Sequence, residues 1–325
     1  MGTADVIGRA PVLLLSVGVS LLLLPGCKRQ QSAVPAGAAT APAPAPAQVA
    51  EAHAPEDVLP ATPAGIQALL QSGEPVLSPA QARQALDYLR KPAPAASGEE
   101  AAAEYFNLVI AVLLAQPAAV KDFPGTLMAT AADEQIPVIL RDYALQHFYH
   151  AWSRETNPEL KGRLEAQLKA EAGNPLSPLQ GTALLTSCRI FESARPMTGP
   201  AGEKLRPLGG KQRKQTPPGH TIAYNLEEFG ALALAAAVDP SGKPTARASA
   251  FHALQRLGIR SATGPARSVA GDPQAPEVVR CAALSVIGNF GSTESDRGLL
   301  EGIPSSPPLV KAAADHALAR LSPRP

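Results

Sequence analysis

Aromatic residues are scarce in this chain of 325 residues, which holds 7 Phe, 5 Tyr and 1 Trp. Sheets pack through aromatic and β-branched side chains, so this composition argues against a large sheet-built domain. No run of alternating apolar and polar residues contradicts that. Glycine, at 26 residues, is too sparse for a collagen and shows no three-residue period. Charge of one sign is also missing: 29 basic residues face 28 acidic ones, for a formal charge of +1. Nothing in that balance draws the whole chain toward nucleic acid or a membrane, so an electrostatic partner must meet a local patch. Phosphate-cradling Gly loops, a GxSxG elbow, paired-Cys zinc spacing and a dinucleotide fingerprint are all lacking. The expectation is a binding protein rather than an enzyme, with no cofactor, no metal, no nucleic acid and no evident small-molecule substrate.

Proline and alanine are abundant instead, with 34 Pro and about 61 Ala in a chain that is 45% hydrophobic. They are unevenly spread. The first residues carry Arg9 and Asp5, and Val12 to Leu24 then form an apolar run interrupted only by Ser16, Gly18 and Ser20. A membrane-spanning helix needs about 20 apolar residues, and Pro25, Gly26, Lys28 and Arg29 end this run too soon. Its length is that of a secretory signal segment.

The run closes on Leu24-Pro25-Gly26-Cys27. This resembles the lipobox of bacterial lipoproteins, with Leu three before the Cys and a small residue just before it; Pro25 departs from the usual Ala or Ser. The resemblance implies cleavage after a 1–26 signal peptide and acylation of Cys27, which then anchors the chain. Several acyl chains hold a protein where one is marginal, at about 0.8 kcal/mol per buried CH₂. It further implies that Lys28, standing where an inner-membrane lipoprotein has Asp, sends the protein of a Gram-negative host to the outer membrane, facing the periplasm. An ordinary cleaved signal peptide and an uncleaved anchor are the alternatives.

From residue 27 to about 63 the chain has almost no bulky apolar residue and alternates Ala with Pro over Ala41 to Ala47. Such a segment cannot bury enough surface to offset the entropy of ordering. Proline fixes φ and removes helix donors, so a stiff extended tether is expected, reaching on the order of 100 Å at about 3.1 Å per residue.

Beyond Pro63 apolar residues recur at helical spacing, in Ile66, Leu69 and Leu70, in Ala85, Leu86 and Leu89, and in Phe106, Val109, Ile110 and Leu113. Ser78-Pro79 predicts a helix start. A template then repeats in the segments beginning at Arg141, Arg247, Arg280 and Lys311. Three residues on stands Ala144, Ala250, Ala283 or Ala314, and seven on Phe148, Leu254, Ile287 or Leu318; the last three add Leu257, Phe290 and Leu321. A weaker copy begins at Gln180. These positions share one helical face, with the small Ala where a neighbouring helix comes close. Gly258 and Gly291 stand where a left-handed residue after a helix is wanted. The template starts are 39, 67, 33 and 31 residues apart, so the long gap reads as about two periods with one degenerate or interrupted copy, and residues 199–220 fill it as an insertion between helices would.

A period of about 30 to 40 residues predicts an all-α helical solenoid over 64–325, the alternative being an irregular helical bundle whose Ala-rich helices merely look alike. Pro276-Glu277-Val278-Val279-Arg280 with Ala283-Leu284, and Ile136-Pro137 to Arg141 with Ala144-Leu145, resemble the second helix of HEAT-like (PBS-lyase-type) repeats. The resemblance covers roughly 126–325. It implies a protein-binding or scaffolding module of the cell envelope, meeting a protein partner as yet unknown. The alternatives are a structural or assembly factor without a discrete ligand, and a lyase-like repeat enzyme.

Few residues invite chemistry. His147 and His150 lie three apart on a predicted helix, but His-Phe-Tyr-His lacks the Glu of a zinc protease motif. His252 and His316 share the template position five after the basic residue and form a candidate binding pair on a polar helix stripe. Cys188 and Cys281 are expected to be separate thiols on apolar faces. Residues 199–220 form a Gly/Pro-rich loop in which Lys204, Arg206, Lys211, Arg213 and Lys214 face Glu203 alone. That loop is the second candidate contact, for an anionic surface.

Overall fold

The computed structural model describes residues 57–72, 76–92, 98–194, 225–304 and 307–321. The lipobox residues Leu24, Pro25 and Gly26, the anchor Cys27, residues 27–56 of the expected tether and the basic loop lie outside these; the end of that tether does not, for Leu59 is buried with its N–H donating to Gln84 Oε1 at 2.9 Å and Tyr105 donates to the Pro60 carbonyl at 2.8 Å, so the folded body begins before residue 63. All regular structure within the described residues is helical. In chain order the helices are α1 (Pro63–Gln71), α2 (Pro79–Arg90), α3 (Glu99–Ala115), α4 (Phe123–Ala132), α5 (Val138–Gln146), α6 (Phe148–Arg154) and α7 (Pro158–Gly173). There follow α8 (Gln180–Ala194), α9 (Leu226–Val238), α10 (Pro244–Arg256), α11 (Thr263–Gly271), α12 (Glu277–Phe290), α13 (Thr293–Glu301) and α14 (Pro308–Leu321). No described helix is long and apolar enough to cross a membrane.

Local sequence accounts for several starts. Ser78 and Gln81 form a reciprocal capping box ahead of Pro79, and Asn225 and Glu228 form another. Thr62 caps α1, where the first helical residue is Pro63.

The helices pack as hairpins: α2 on α3, α4 on α5, α7 on α8, α9 on α10, α11 on α12 and α13 on α14. Each second helix also packs on the next, α3 on α5, α5 on α8, α8 on α10, α10 on α12 and α12 on α14, and α1 lies on α3. First helices meet likewise, α2 with α4, α4 with α7 and α7 with α9, while Arg267 of α11 is ion-paired with Asp296 of α13. The template segments are second helices, and their small residues Ala144, Ala183, Ala250, Ala283 and Ala314 are fully buried. Small side chains let helix axes approach. Between α12 and α14 the backbones come close at Gly288, where a Cβ would stand 2.9 Å from the Cα of Ala317.

The basic residue that opens the template closes each hairpin. Arg141 Nε donates to the carbonyl of Ala131 (2.9 Å), Arg247 Nε to Ala237 (3.3 Å) and Arg280 Nε to Ala270 (3.1 Å), each ten residues back. Gln180 Nε2 serves Ala172, eight back, at 3.1 Å. These carbonyls end first helices and have no intrahelical partner. The turn between is also uniform: Asp133, Asn174, Asp239 and Asp272 each accept through Oδ1 from the backbone N–H two residues on, at 2.8–3.1 Å. An Asx turn of this kind stops the first helix, and a nearby Pro starts the second. The fifth copy differs, because Lys311 pairs with Asp315 on its own helix.

Three further sequence expectations need correction. The segment from Arg141 is two helices, broken at His147. The break turns Phe148 and Trp152 into the core, where Trp152 Nε1 donates to Glu165 Oε1 of α7 at 2.6 Å and Lys161 stands 4.5 Å from the ring centre. The long gap before Arg247 is not two full periods: α8 packs directly on α10, and among the described residues the gap contains one first helix, α9. Gly258 is left-handed at φ 70°, but Gly291 is not, with φ −71°. A Cβ at Gly291 would collide with the Asp296 carboxylate and the Ile287 carbonyl.

Candidate binding face

The second helices bury their Ala and Leu positions and turn a polar side outward. There, side chains join successive helices. His147 meets Asn107 of α3 at 2.8 Å; Thr182 of α8 donates to Asp142 of α5 at 2.5 Å; Arg256 of α10 pairs with Glu192 of α8; and Ser285 of α12 donates to Gln255 of α10 at 2.9 Å. From α3 to α12, each packed pair of second helices therefore carries such a bond. A polar surface that is cross-linked to itself is held in one geometry, which lowers the entropy lost when it binds.

Its middle is rich in nitrogen. The imidazoles of His147 and His150 lie 5.8 Å apart between ring centres, and Tyr149 meets His150 edge-on at 5.3 Å. Asn107 Oδ1 can only accept, so His147 Nε2 carries the proton and Nδ1 is left as a buried acceptor without a partner. His147 is held down to about 4, first by burial and then by the charges of His150 and Arg189. His150, though its side chain reaches solvent, is lowered by the same two kinds of cause, desolvation first and Arg189 second. Arg189 is exposed and makes no hydrogen bond or ion pair among the described residues.

Of the residues singled out by sequence, His252 and His316 are both exposed, on α10 and α14. The structure does not bring them together, because α12 packs between their helices. His252 is lowered by desolvation and then by Arg256. Lys204, Arg206, Lys211, Arg213 and Lys214 lie outside the described residues. Cys188 is buried, its Sγ 3.8 Å from the Ala253 carbonyl, and Cys281 is only half-buried; neither forms a disulfide among the described residues, and burial pushes the Cys281 thiol up. Among the described residues no three of His, Cys, Asp and Glu converge as metal ligands.

Two features were not foreseen. A groove of about 670 Å³ runs beside α2, floored by Leu77, Ala82, Leu86 and Val120 and edged by Arg83 and Lys121. Exposed large apolar residues recur at the turns between first and second helices: Val138, Leu176, Val238, Val278 and Leu309, with Leu176 85% exposed. The signal for the histidine cluster was divided among residues about 40 positions apart, in Asn107, His147 and Arg189. Comparison with protein-family models, with curated proteins and with solved structures finds no match to this chain.

Proposed function

We propose that this chain is a membrane-anchored lipoprotein whose hairpins form a HEAT-like solenoid serving as a protein-binding or scaffolding module of the bacterial cell envelope. One observation carries the reading: the second helices pack one on the next from α3 to α14, and from α3 to α12 polar side chains bond each to the next. Repeats that touch only their neighbours make an extended surface of this kind, suited to a macromolecular partner. The Leu24 to Cys27 motif supports the anchor, and the Ala/Pro segment after it acts as a spacer from the bilayer. Lys28 favours the outer membrane of a Gram-negative host.

Crosslinking in cells followed by affinity capture of the anchored protein tests the binding role. A small, reproducible set of neighbours crosslinked to the second-helix side is expected; many unrelated neighbours would point to a structural or assembly factor instead. Cys27→Ser should move the protein out of the membrane fraction, and unchanged fractionation would overturn the anchor.

A further inference from the structure

We infer that Gln81 and Gln84 of α2 and Tyr105 of α3 form a seat for a short non-helical peptide carrying Leu-Pro, and that Asp57 to Pro60 of this chain fill it in cis as a displaceable strap. The inference rests on the binding role proposed above and names one class of partner for it. Gln84 grips the strap twice: its Oε1 accepts from the Leu59 N–H at 2.9 Å and its Nε2 donates to the Asp57 carbonyl at 3.0 Å. Gln81 Nε2 donates to the Val58 carbonyl at 3.3 Å, and Tyr105 donates its hydroxyl to the Pro60 carbonyl at 2.8 Å. Two of these groups are held in place before any peptide arrives. The Gln81 Oε1 accepts from the Ser78 N–H, which turns its amide nitrogen to the strap, and the Tyr105 ring meets Tyr88 edge-on at 4.9 Å.

All four bonds go to the main chain of the strap, which every peptide carries. Only one of its side chains is buried, that of Leu59 at 7% exposure, while Asp57 and Val58 are exposed. Main-chain bonds give such a seat its affinity and the side-chain pocket its selectivity, so the requirement is a leucine, kept out of helical backbone by the proline that follows it. The strap is also placed to leave. It ends before Thr62, the cap of α1, so lifting it unwinds no helix and leaves α1 packed on α3. Gln84 is itself exposed, and hydrogen bonds that exchange with water add little each. A segment with few buried contacts opens locally without global unfolding. A peptide from outside then competes with the resident strap, whose effective concentration is on the order of millimolar.

The probe is an acetylated, amidated peptide of residues 57–62, added to the full chain. In the wild type, amide hydrogen exchange at Leu59 should proceed by local opening, far faster than at Leu113 within α3, and should speed up severalfold as the peptide passes about 10 mM and holds the seat with the strap displaced. Leu59→Ser loosens the strap and leaves the gripping residues in place, so this variant should bind the peptide saturably at lower concentration. Adding Gln84→Ala to it removes two hydrogen bonds and should weaken binding about tenfold. Gln274→Ala, which removes an exposed glutamine side chain far along the chain, should change nothing, and a peptide with Ser in place of Leu59 should not bind. Exchange at Leu59 that occurs only with global unfolding, or that the peptide leaves unaltered, would overturn the inference, as would equal peptide binding with and without Gln84. The wild-type measurement decides the matter even if Leu59→Ser fails to fold. Because the probe is the chain's own segment, failure here leaves the binding role of the second helices standing, and failure of partner capture leaves the peptide seat standing.

Discussion

Arg280 reaches back from α12 so that its Nε donates to the carbonyl of Ala270 at the end of α11, 3.1 Å away, with the arginine only 5% exposed. The same link recurs at Arg141 and Arg247. A side chain that reads as the first residue of a repeat therefore acts as the C-cap of the helix before it.

Arg280→Met keeps the apolar stem and removes the donor, leaving the Ala270 carbonyl buried and unpaired. The expected loss is about 1.5–3 kcal/mol, read as a lower denaturation midpoint. Lys311→Met should cost far less, since the lysine meets only the exposed Asp315.

Gly258→Ala and Gly291→Ala should both destabilise, for different reasons. At Gly258 the φ of 70° closes a motif in which Ile259 N–H donates to the Leu254 carbonyl at 2.9 Å, and a Cβ there meets nothing but adds about 1 kcal/mol of backbone strain. At Gly291 the backbone is unstrained but the space is filled. Asn at 258 should rescue part of the loss because it tolerates the left-handed region, whereas Asn at 291 should rescue none; paired denaturation curves distinguish the two.

Acid should weaken the fold in two stages. His147, held down to about 4 against an ordinary 6.5, takes its proton later in the folded state than in the unfolded one. Its share of stability is therefore present above the ordinary value and lost as pH falls from about 6.5 to about 4. His147→Gln, which keeps a donor for Asn107, should flatten the stability profile in that window.

Asp296 acts below it. The Arg267 guanidinium, bonded at 2.5 and 3.0 Å, holds this fully buried carboxylate below its ordinary value. Its contribution is complete above the unfolded carboxylate range and disappears as pH falls through the lower folded value. Asp296→Asn should lower stability at neutral pH and remove the steepest part of the acid limb, as measured by denaturation midpoints across pH.

Much of the body was legible because its signals are local. Ser78, Thr62 and Asn225 mark helix starts, and the buried Ala three after each template start marks the packing face. The hairpin turn was equally local, with Asp or Asn, then Pro, then Arg or Gln at nearly constant spacing, though it shows as a motif only once the arginine is known to reach a carbonyl. The break at His147 was not legible: the apolar spacing from Arg141 to Trp152 suits one helix, and the demand that divides it comes from Glu165 and Lys161 on α7.

Periodicity, caps and small residues, all effects within a few turns of chain, determined by themselves that this protein is helical and which sides of its second helices are apolar. Only the tertiary structure decided what the polar residues do. Asn107 and His147 stand 40 residues apart and meet because α3 and α5 stack, while His252 and His316, matched in sequence, are separated by α12. A charge or hydrogen bond acts through space, and its partner is chosen by packing.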